Sequence, residues 1–90
     1  MAVYVDKFKT PYRGMLMSHM LADTLEELHA MADRIGIKRK WFQNKSTPHY
    51  DICQSKRKLA IANGAVEIGI RETGQLIKKL RKQNEDNGLV

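Results

Sequence analysis

The chain has 90 residues, 42% of them apolar and 29% charged, a balance typical of one folded domain with a single modest core. Its formal net charge of +6 favours anionic partners over cationic ones. The single cysteine, Cys53, excludes an intrachain disulfide and a cysteine-rich zinc site, and indicates a reducing compartment such as the cytoplasm. Neither a signal peptide nor an apolar run long enough to cross a membrane is recognisable, so we expect no membrane association.

Two strands are predicted near the N-terminus, with a turn between them. The segment from Ala2 to Asp6 is rich in β-branched and aromatic residues, which predicts a first strand. The segment from Pro11 to Gly14 contains proline and glycine and breaks this pattern. Met15 to Leu21 is mostly apolar, and we interpret it as a second strand, with a buried helical turn as the alternative.

A helix is predicted over residues 24–35. Thr24 and Glu27 have the spacing of a capping box, in which a hydroxyl and a carboxylate satisfy exposed backbone N–H groups. Apolar residues then recur at steps of three and four, which is typical of a helix with one buried face. Gly36 stands where a residue of left-handed conformation ends the helix.

The segment from Ile37 to Gln43 is predicted to be a further strand, in which alternate side chains would lie on opposite sides. Within it, we expect Trp41 to fill the core beside Phe42, with stacking on a nucleic-acid base as the alternative. A polar loop from Asn44 to Pro48 follows, because the residue before a proline is pushed toward extended geometry.

The second half of the chain is predicted to contain two helices around one strand. Asp51 is placed to be the N-cap of a helix that runs to about Asn63. Residues from Ala65 to Ile70 alternate apolar and polar side chains, which predicts a half-buried strand. A final helix is predicted to begin near Thr73 and to fray at its end.

This order of elements predicts a small single-domain layered α/β fold, with a short, mostly parallel sheet of three to four strands and about three helices. Residues 1–72 would form the core domain, and residues 73–90 a basic C-terminal helix with a frayed tail. Parallel pairing would bring Asp6, Gln43 and the run His49-Tyr50-Asp51 to one edge of the sheet, where open α/β sheets bind ligands.

The His49-Tyr50-Asp51 run, followed by Lys56 and Arg57, indicates a binding site for an anion. A helix N-terminus with two cations one turn inside it suits a phosphate group. The residues predicted to bind the ligand are Arg13, Gln43, Tyr50, Lys56 and Arg57. If the site is catalytic, the candidate acids and bases are His49, Asp51, Asp6 and His19. The competing interpretation of Asp51 is that it only caps a helix.

No metal ligands are assigned from the sequence, because His19, His29 and His49 show neither His-x-His nor His-x-x-x-His spacing. Magnesium held by Asp6 and Asp51 is a lesser alternative, and the cofactor is otherwise unknown.

Several motifs of the chain resemble a family of short bacterial and bacteriophage proteins, domain of unknown function 4031. The resemblance covers roughly residues 1–72 and leaves the basic tail outside. The residues that carry it are Met1 to Asp6, Arg13-Gly14, His19, Ala22 to Thr24, Glu27 to His29, Trp41 to Gln43, His49 to Asp51, Ser55 to Arg57 and Gly64-Ala65. It supplies no activity, but it implies a small cytoplasmic protein of a bacterial host cell, with the option that a phage encodes it.

The leading hypothesis is therefore a protein that binds a phosphate-bearing ligand, either a nucleotide or a nucleic acid. The first alternative is a small phosphodiesterase or nuclease that uses His49, Asp51 and Asp6. The second is a module that binds nucleic acid nonspecifically through its basic C-terminal helix. A shallow site in so short a chain also suggests a homodimer.

Overall fold

A computed structural model of the chain describes residues 2–44 and 47–86. The elements within these residues are β1 Val3–Val5, β2 Thr10–Tyr12, β3 Met15–Ala22, α1 Leu25–Ile35, a 3-10 helix Arg39–Trp41, β4 Tyr50–Cys53, α2 Gln54–Ala62, β5 Val66–Glu67 and α3 Ile70–Asp86. The predicted α/β class and the three helices are confirmed. Among the described residues, no helix has the length and apolar character needed to cross a membrane.

The sheet has five strands within the described residues, where three to four were predicted, and it is mostly antiparallel, so the prediction of a mostly parallel sheet was wrong. The long strand β3 is its centre and pairs antiparallel with β1, β2 and β4. Only β1 and β5 pair in parallel.

Two of the three antiparallel pairs, β1–β3 and β2–β3, join strands within residues 3–22, and the structure describes no helix between them. The third pair arises where the second crossover was predicted. Gln43 forms an antiparallel bridge with His49, so the intervening loop reverses the chain, and the next strand, β4, runs antiparallel to β3. The segment from Ile37 to Gln43, predicted to be a strand, contains the 3-10 helix instead. Phe42 packs against the core, whereas Trp41 is 58% exposed, so the expectation that Trp41 fills the core was also wrong.

Strands β1 and β2 lie along the same edge of β3 and are separated by a bulge. Val5 pairs with Met20 and Thr10 pairs with Met17, so four residues on one side face two, Ser18 and His19, on the other. The buried carboxylate of Asp6 fills the interrupted ladder. Its Oδ1 accepts hydrogen bonds from the backbone N–H groups of His19 at 2.9 Å and Phe8 at 3.2 Å.

Helix α1 forms as its caps predict. The Thr24 hydroxyl accepts a hydrogen bond from the backbone N–H of Glu27 at 3.2 Å and donates one to the Glu27 carboxylate at 2.9 Å. Gly36 ends the helix in the left-handed conformation, with φ 81°. The buried face packs on the sheet and consists of Leu28, Met31, Ala32 and Ile35.

The C-terminal half differs from prediction in its boundaries. Asp51 is not the N-cap of α2, because residues Tyr50–Cys53 form β4 and the helix begins at Gln54. The predicted strand after Gly64 is present but short, as β5. Helix α3 begins at Ile70, before the predicted start at Thr73, and buries Thr73 and Leu80. The predicted boundary at residue 72 therefore falls inside one helix.

Candidate functional site

An open cavity of about 780 Å³ lies beside β3 and β4 and is bordered by the β2–β3 hairpin and the segment around the 3-10 helix. Its volume is typical of a small-molecule site. The charged side chains lining it are four cations, Arg13, Lys38, Lys40 and Lys56, together with His19 and one carboxylate, Asp51. The cavity therefore favours a ligand with negative charge.

The β3–β4 ladder decides which side chains face this cavity. His19 is paired directly with Asp51, and Met17 with Cys53, so these four side chains lie on one face of the sheet. His49 lies two residues before Asp51, and therefore on the same face. The intervening residues Tyr50 and Ile52 point into the core and are 0% and 1% exposed.

His19 is held by the buried carboxylate of Asp6. Its Nδ1 donates a hydrogen bond of 2.6 Å to Oδ2 of Asp6, which is fully buried. That hydrogen bond is the main reason why the pKa of His19 is raised above its ordinary value, and the nearby charges of Asp6 and Asp51 add to the effect against the opposing desolvation. Because the ring lies between two carboxylates, its surroundings stabilise positive charge.

Asp51 is oriented from one side by an amide. The side-chain nitrogen of Gln43 donates a hydrogen bond of 2.7 Å to Oδ2 of Asp51. The other oxygen, Oδ1, faces two imidazoles, at 3.8 Å from Nε2 of His19 and 3.5 Å from Nε2 of His49. With no capping role, the Asp51 carboxylate is available to the site.

The second imidazole, that of His49, is also fixed by a hydrogen bond. Its Nδ1 lies 2.8 Å from the backbone carbonyl oxygen of Thr47, which can only accept, so the hydrogen is on Nδ1. In the neutral form of either imidazole, Nε2 carries the lone pair, because Nδ1 of His19 likewise faces an acceptor. One ligand atom from each of His19, His49 and Asp51 lies within 4.8 Å of the other two.

Asp6 and Asp51, the pair considered for magnesium, do not share a position. The His19 imidazole lies between them, bonded to Asp6 through Nδ1 and facing Asp51 through Nε2. The four candidate acids and bases, His49, Asp51, Asp6 and His19, nevertheless form one connected cluster, together with Gln43. Their catalytic role stays a prediction.

Tyr50, predicted to bind the ligand, lies in the core. Its hydroxyl makes a hydrogen bond of 2.7 Å with Nδ1 of His29, and its ring packs against Phe42. Burial raises the pKa of the Tyr50 phenol. Tyr50 therefore supports β4 and α1 from the side of the sheet opposite the cavity.

The predicted cations differ in their availability. Nζ of Lys56 lines the cavity but donates a hydrogen bond of 2.8 Å to the carbonyl of Ile35, at the end of α1. Arg57 donates from Nε to the backbone carbonyl of Asp6 at 2.8 Å, and its Nη2 lies 3.1 Å from Oε2 of Glu67. Arg57 therefore ties α2 to β1 and β5.

Arg13 stands at the tip of the β2–β3 hairpin, next to the cavity. Arg13 and Gly14 have φ angles of 49° and 78°, as the two central residues of a type I′ turn require. The exposed guanidinium lies 5.3 Å from the centre of the Tyr12 ring. Among the predicted ligand-binding residues, it is the cation without a hydrogen bond to another described residue.

Two cavity residues, Lys38 and Lys40, were not predicted as site residues, and for Trp41 base stacking was only the alternative to a place in the core. The signal for them was the basic run beside an aromatic residue, which the strand interpretation of this segment obscured. The Lys40 ammonium group lies 5.1 Å from the centre of the exposed Trp41 ring.

Together these features define a small α/β protein with a two-histidine, one-carboxylate cluster at a cationic cavity, which His19 and Asp51 line. The chain belongs to the family described as Protein of unknown function (DUF4031), whose profile matches residues 3–80. The match confirms the resemblance and extends past residue 72 into α3. No curated protein and no solved structure matches the chain.

Proposed function

We propose that the protein binds a phosphate-bearing ligand, a nucleotide or the end of a nucleic-acid strand, in the cavity beside β3 and β4. The observation that carries this proposal is the charge of the cavity, where four cationic side chains face a single carboxylate. Arginine and lysine recognise phosphate through charge-assisted hydrogen bonds. Arg13 and Lys38 are both exposed at the cavity surface.

The aromatic surface of the cavity supports a nucleotide over a simple phosphate. Trp41 and Tyr12 are 58% and 52% exposed and both line the cavity. A base can stack on such a ring whatever its identity, whereas the cations would hold its phosphate.

Trp41 also provides the measurement, because it is the single tryptophan of the chain. Titration with nucleoside monophosphates should quench its fluorescence, and nucleosides without phosphate should bind at least about tenfold more weakly, as loss of a charge-assisted contact implies. The Lys38→Ala and Lys40→Ala variants should lose affinity. Lys58→Ala is the matched control, since Lys58 is exposed on α2 and does not line the cavity. Equal binding of nucleosides and nucleotides would contradict the proposal.

A second candidate function is hydrolysis of a phosphodiester, and the Asp6–His19 pair favours it. An imidazole oriented by a buried carboxylate through Nδ1, with Nε2 toward a cavity, is arranged as a general base. His19→Gln should then abolish turnover of a panel of oligonucleotides and cyclic nucleotides while ligand binding persists. Binding without turnover under all metal conditions would leave the protein a binder.

A third candidate is nonspecific nucleic-acid binding by α3, favoured by the exposed side chains of Lys78, Lys79, Arg81 and Lys82. Truncation is a poor test, because Thr73 and Leu80 are buried. Replacing the three lysines by glutamine should instead lower the affinity for DNA and flatten its salt dependence. Unchanged affinity in this variant excludes α3 as the binding surface.

The bacterial or bacteriophage origin, the cytoplasmic location and a homodimer belong to the same proposal. Sedimentation analysis of the purified protein measures the oligomeric state directly. A mass corresponding to one chain of 10.4 kDa at all concentrations would exclude the dimer.

A further inference from the structure

We propose that His19, His49 and Asp51 bind a divalent first-row transition metal ion, a site that goes beyond the proposed function and does not depend on it. Within residues 2–44 and 47–86, these three form the one group of histidine, cysteine, aspartate or glutamate side chains close enough to share a metal ion. Two imidazoles with one carboxylate are a ligand set that such ions commonly use.

Two of the three distances between ligand atoms are close to those around a bound metal ion, and all three are within 4.8 Å. With metal–nitrogen bonds of about 2.05 Å in tetrahedral geometry, neighbouring ligand atoms lie about 3.3 Å apart. Oδ1 of Asp51 is 3.5 Å from Nε2 of His49 and 3.8 Å from Nε2 of His19. Small side-chain rotations would close the remaining gap.

The hydrogen bonds around the cluster leave the atoms that would bind a metal ion free to do so. Metal-bound histidines usually donate their other ring N–H to a carboxylate or a backbone carbonyl, which fixes the tautomer. His19 donates in this way to Asp6, at 2.6 Å, and His49 to the carbonyl of Thr47, at 2.8 Å. Gln43 holds the distal oxygen of Asp51 and leaves Oδ1 toward the imidazoles.

These hydrogen bonds also leave a position between the three side chains that a cation can occupy. When both imidazoles are neutral, Nε2 of His19, Nε2 of His49 and Oδ1 of Asp51 are all acceptors, and they face one another without a hydrogen between them. Such an arrangement is unfavourable unless a proton or a metal ion lies between the three atoms. A metal ion satisfies all three acceptors together.

The ligand set selects among metals and leaves the ion open to the cavity. Imidazole nitrogen suits zinc, cobalt, nickel and iron, whereas magnesium prefers oxygen ligands, so magnesium should bind weakly. Three protein ligands leave at least one coordination position free. His19 and Asp51 line the cavity, so a free position would face it.

The test uses untagged protein freed of metal with a chelator, and cobalt, zinc or magnesium salts without any other ligand. Calorimetry should show uptake of one zinc ion, and cobalt should give visible absorption of a site with histidine ligands. His49→Ala and Asp51→Asn should each weaken zinc binding by at least about 100-fold, more than the loss of an outer hydrogen-bond partner costs. Magnesium should not compete.

Two control variants make the result specific. Asp33→Asn removes a carboxylate that pairs with Arg39 outside the cluster, and Cys53→Ser removes the thiol that lines the same cavity. Both should retain zinc affinity, and circular dichroism should show that every variant is folded. The proposal is overturned if folded wild-type protein binds no more zinc than Asp51→Asn does, or if Cys53→Ser alone abolishes binding. Because no phosphate ligand is present, either result leaves the proposed function standing.

Discussion

The carboxylate of Asp6 bonds to both the side chain and the backbone of His19. Its Oδ2 accepts a 2.6 Å hydrogen bond from Nδ1 of the imidazole. Oδ1 accepts the backbone N–H groups of His19 and Phe8 and thereby shapes the bulge between β1 and β2. The backbone irregularity and the orientation of the imidazole therefore have one cause. Bulges often re-aim side chains at functional sites.

Asp6→Asn tests this relationship. The asparagine oxygen can still accept the two backbone N–H groups, but its NH₂ group in the position of Oδ2 would donate to His19. The imidazole would then carry its hydrogen on Nε2, which blocks that atom from binding a metal ion. We expect zinc affinity to fall about 10- to 100-fold, and nitrogen NMR shifts of His19 to report the changed tautomer.

The matched control for this variant is Asp23→Asn. Asp23 also accepts a backbone hydrogen bond, from Ala2 at 2.7 Å, and interacts with the Tyr4 hydroxyl, but it lies outside the cluster. It should leave the His19 tautomer and zinc affinity unchanged. Equal effects of the two variants would show that the loss in Asp6→Asn reflects stability rather than ring orientation.

Arg57 should contribute mainly to stability. Its side chain is only 15% exposed, and its guanidinium bonds to the backbone carbonyl of Asp6, just after β1, and to Glu67. We expect Arg57→Ala to lower the free energy of unfolding by about 2 kcal/mol, as loss of charge-assisted hydrogen bonds implies. Urea denaturation measures this change. If the variant kept its stability but lost nucleotide binding, Arg57 would have the ligand-binding role predicted from the sequence.

Tyr50→Phe should lower the stability of the core without changing ligand binding at the site. It removes the hydroxyl that bonds to His29 but keeps the ring that packs against Phe42. The expected cost is about 1 kcal/mol of unfolding free energy, with nucleotide and zinc affinity unchanged. Thermal unfolding and the fluorescence titration test both parts. A selective loss of nucleotide affinity would contradict the placement of Tyr50 away from the ligand.

Cys53 should react with alkylating agents at lower pH than an ordinary thiol. Its Sγ lies 3.2 Å from the Ser55 hydroxyl, and this hydrogen bond, helped by the backbone N–H of Lys56, lowers the pKa of the thiol. A lowered pKa increases the thiolate fraction at a given pH, so the rate of reaction with iodoacetamide should rise with a midpoint at lower pH than for an ordinary cysteine. Ser55→Ala should move that midpoint upward. A nucleotide in the cavity should slow the reaction.

The parts of the fold that were predicted correctly depend on short stretches of chain. Thr24 and Gly36 bound α1 through contacts made within about one helical turn, and the alternation of Val3 and Val5 indicated β1. The orientation of the strands was wrong because it depends on where the chain reverses. The chain reverses between β2 and β3 through a two-residue turn, and again between Gln43 and His49, which form an antiparallel bridge.

The four candidate acids and bases lie together in the structure, and their catalytic role stays a prediction, but the parallel pairing from which their proximity was expected is absent among the described strands that carry them. His49, Asp51 and Cys53 alternate with the buried Tyr50 and Ile52, a period of two that indicates a strand. The competing interpretation of Asp51 as an N-cap concealed this signal. The residues predicted to bind the ligand included exposed ones such as Arg13 but also Tyr50, whose side chain faces the core.

By itself, the sequence determined a folded α/β domain with a cationic surface, a capped first helix and a concentration of histidine and aspartate residues. These properties follow from composition and from interactions between near neighbours in the chain. Only the tertiary structure decided that His19 lies opposite Asp51, because that pairing needs the register of β3 against β4. A shift of one residue would have turned either side chain to the other face of the sheet.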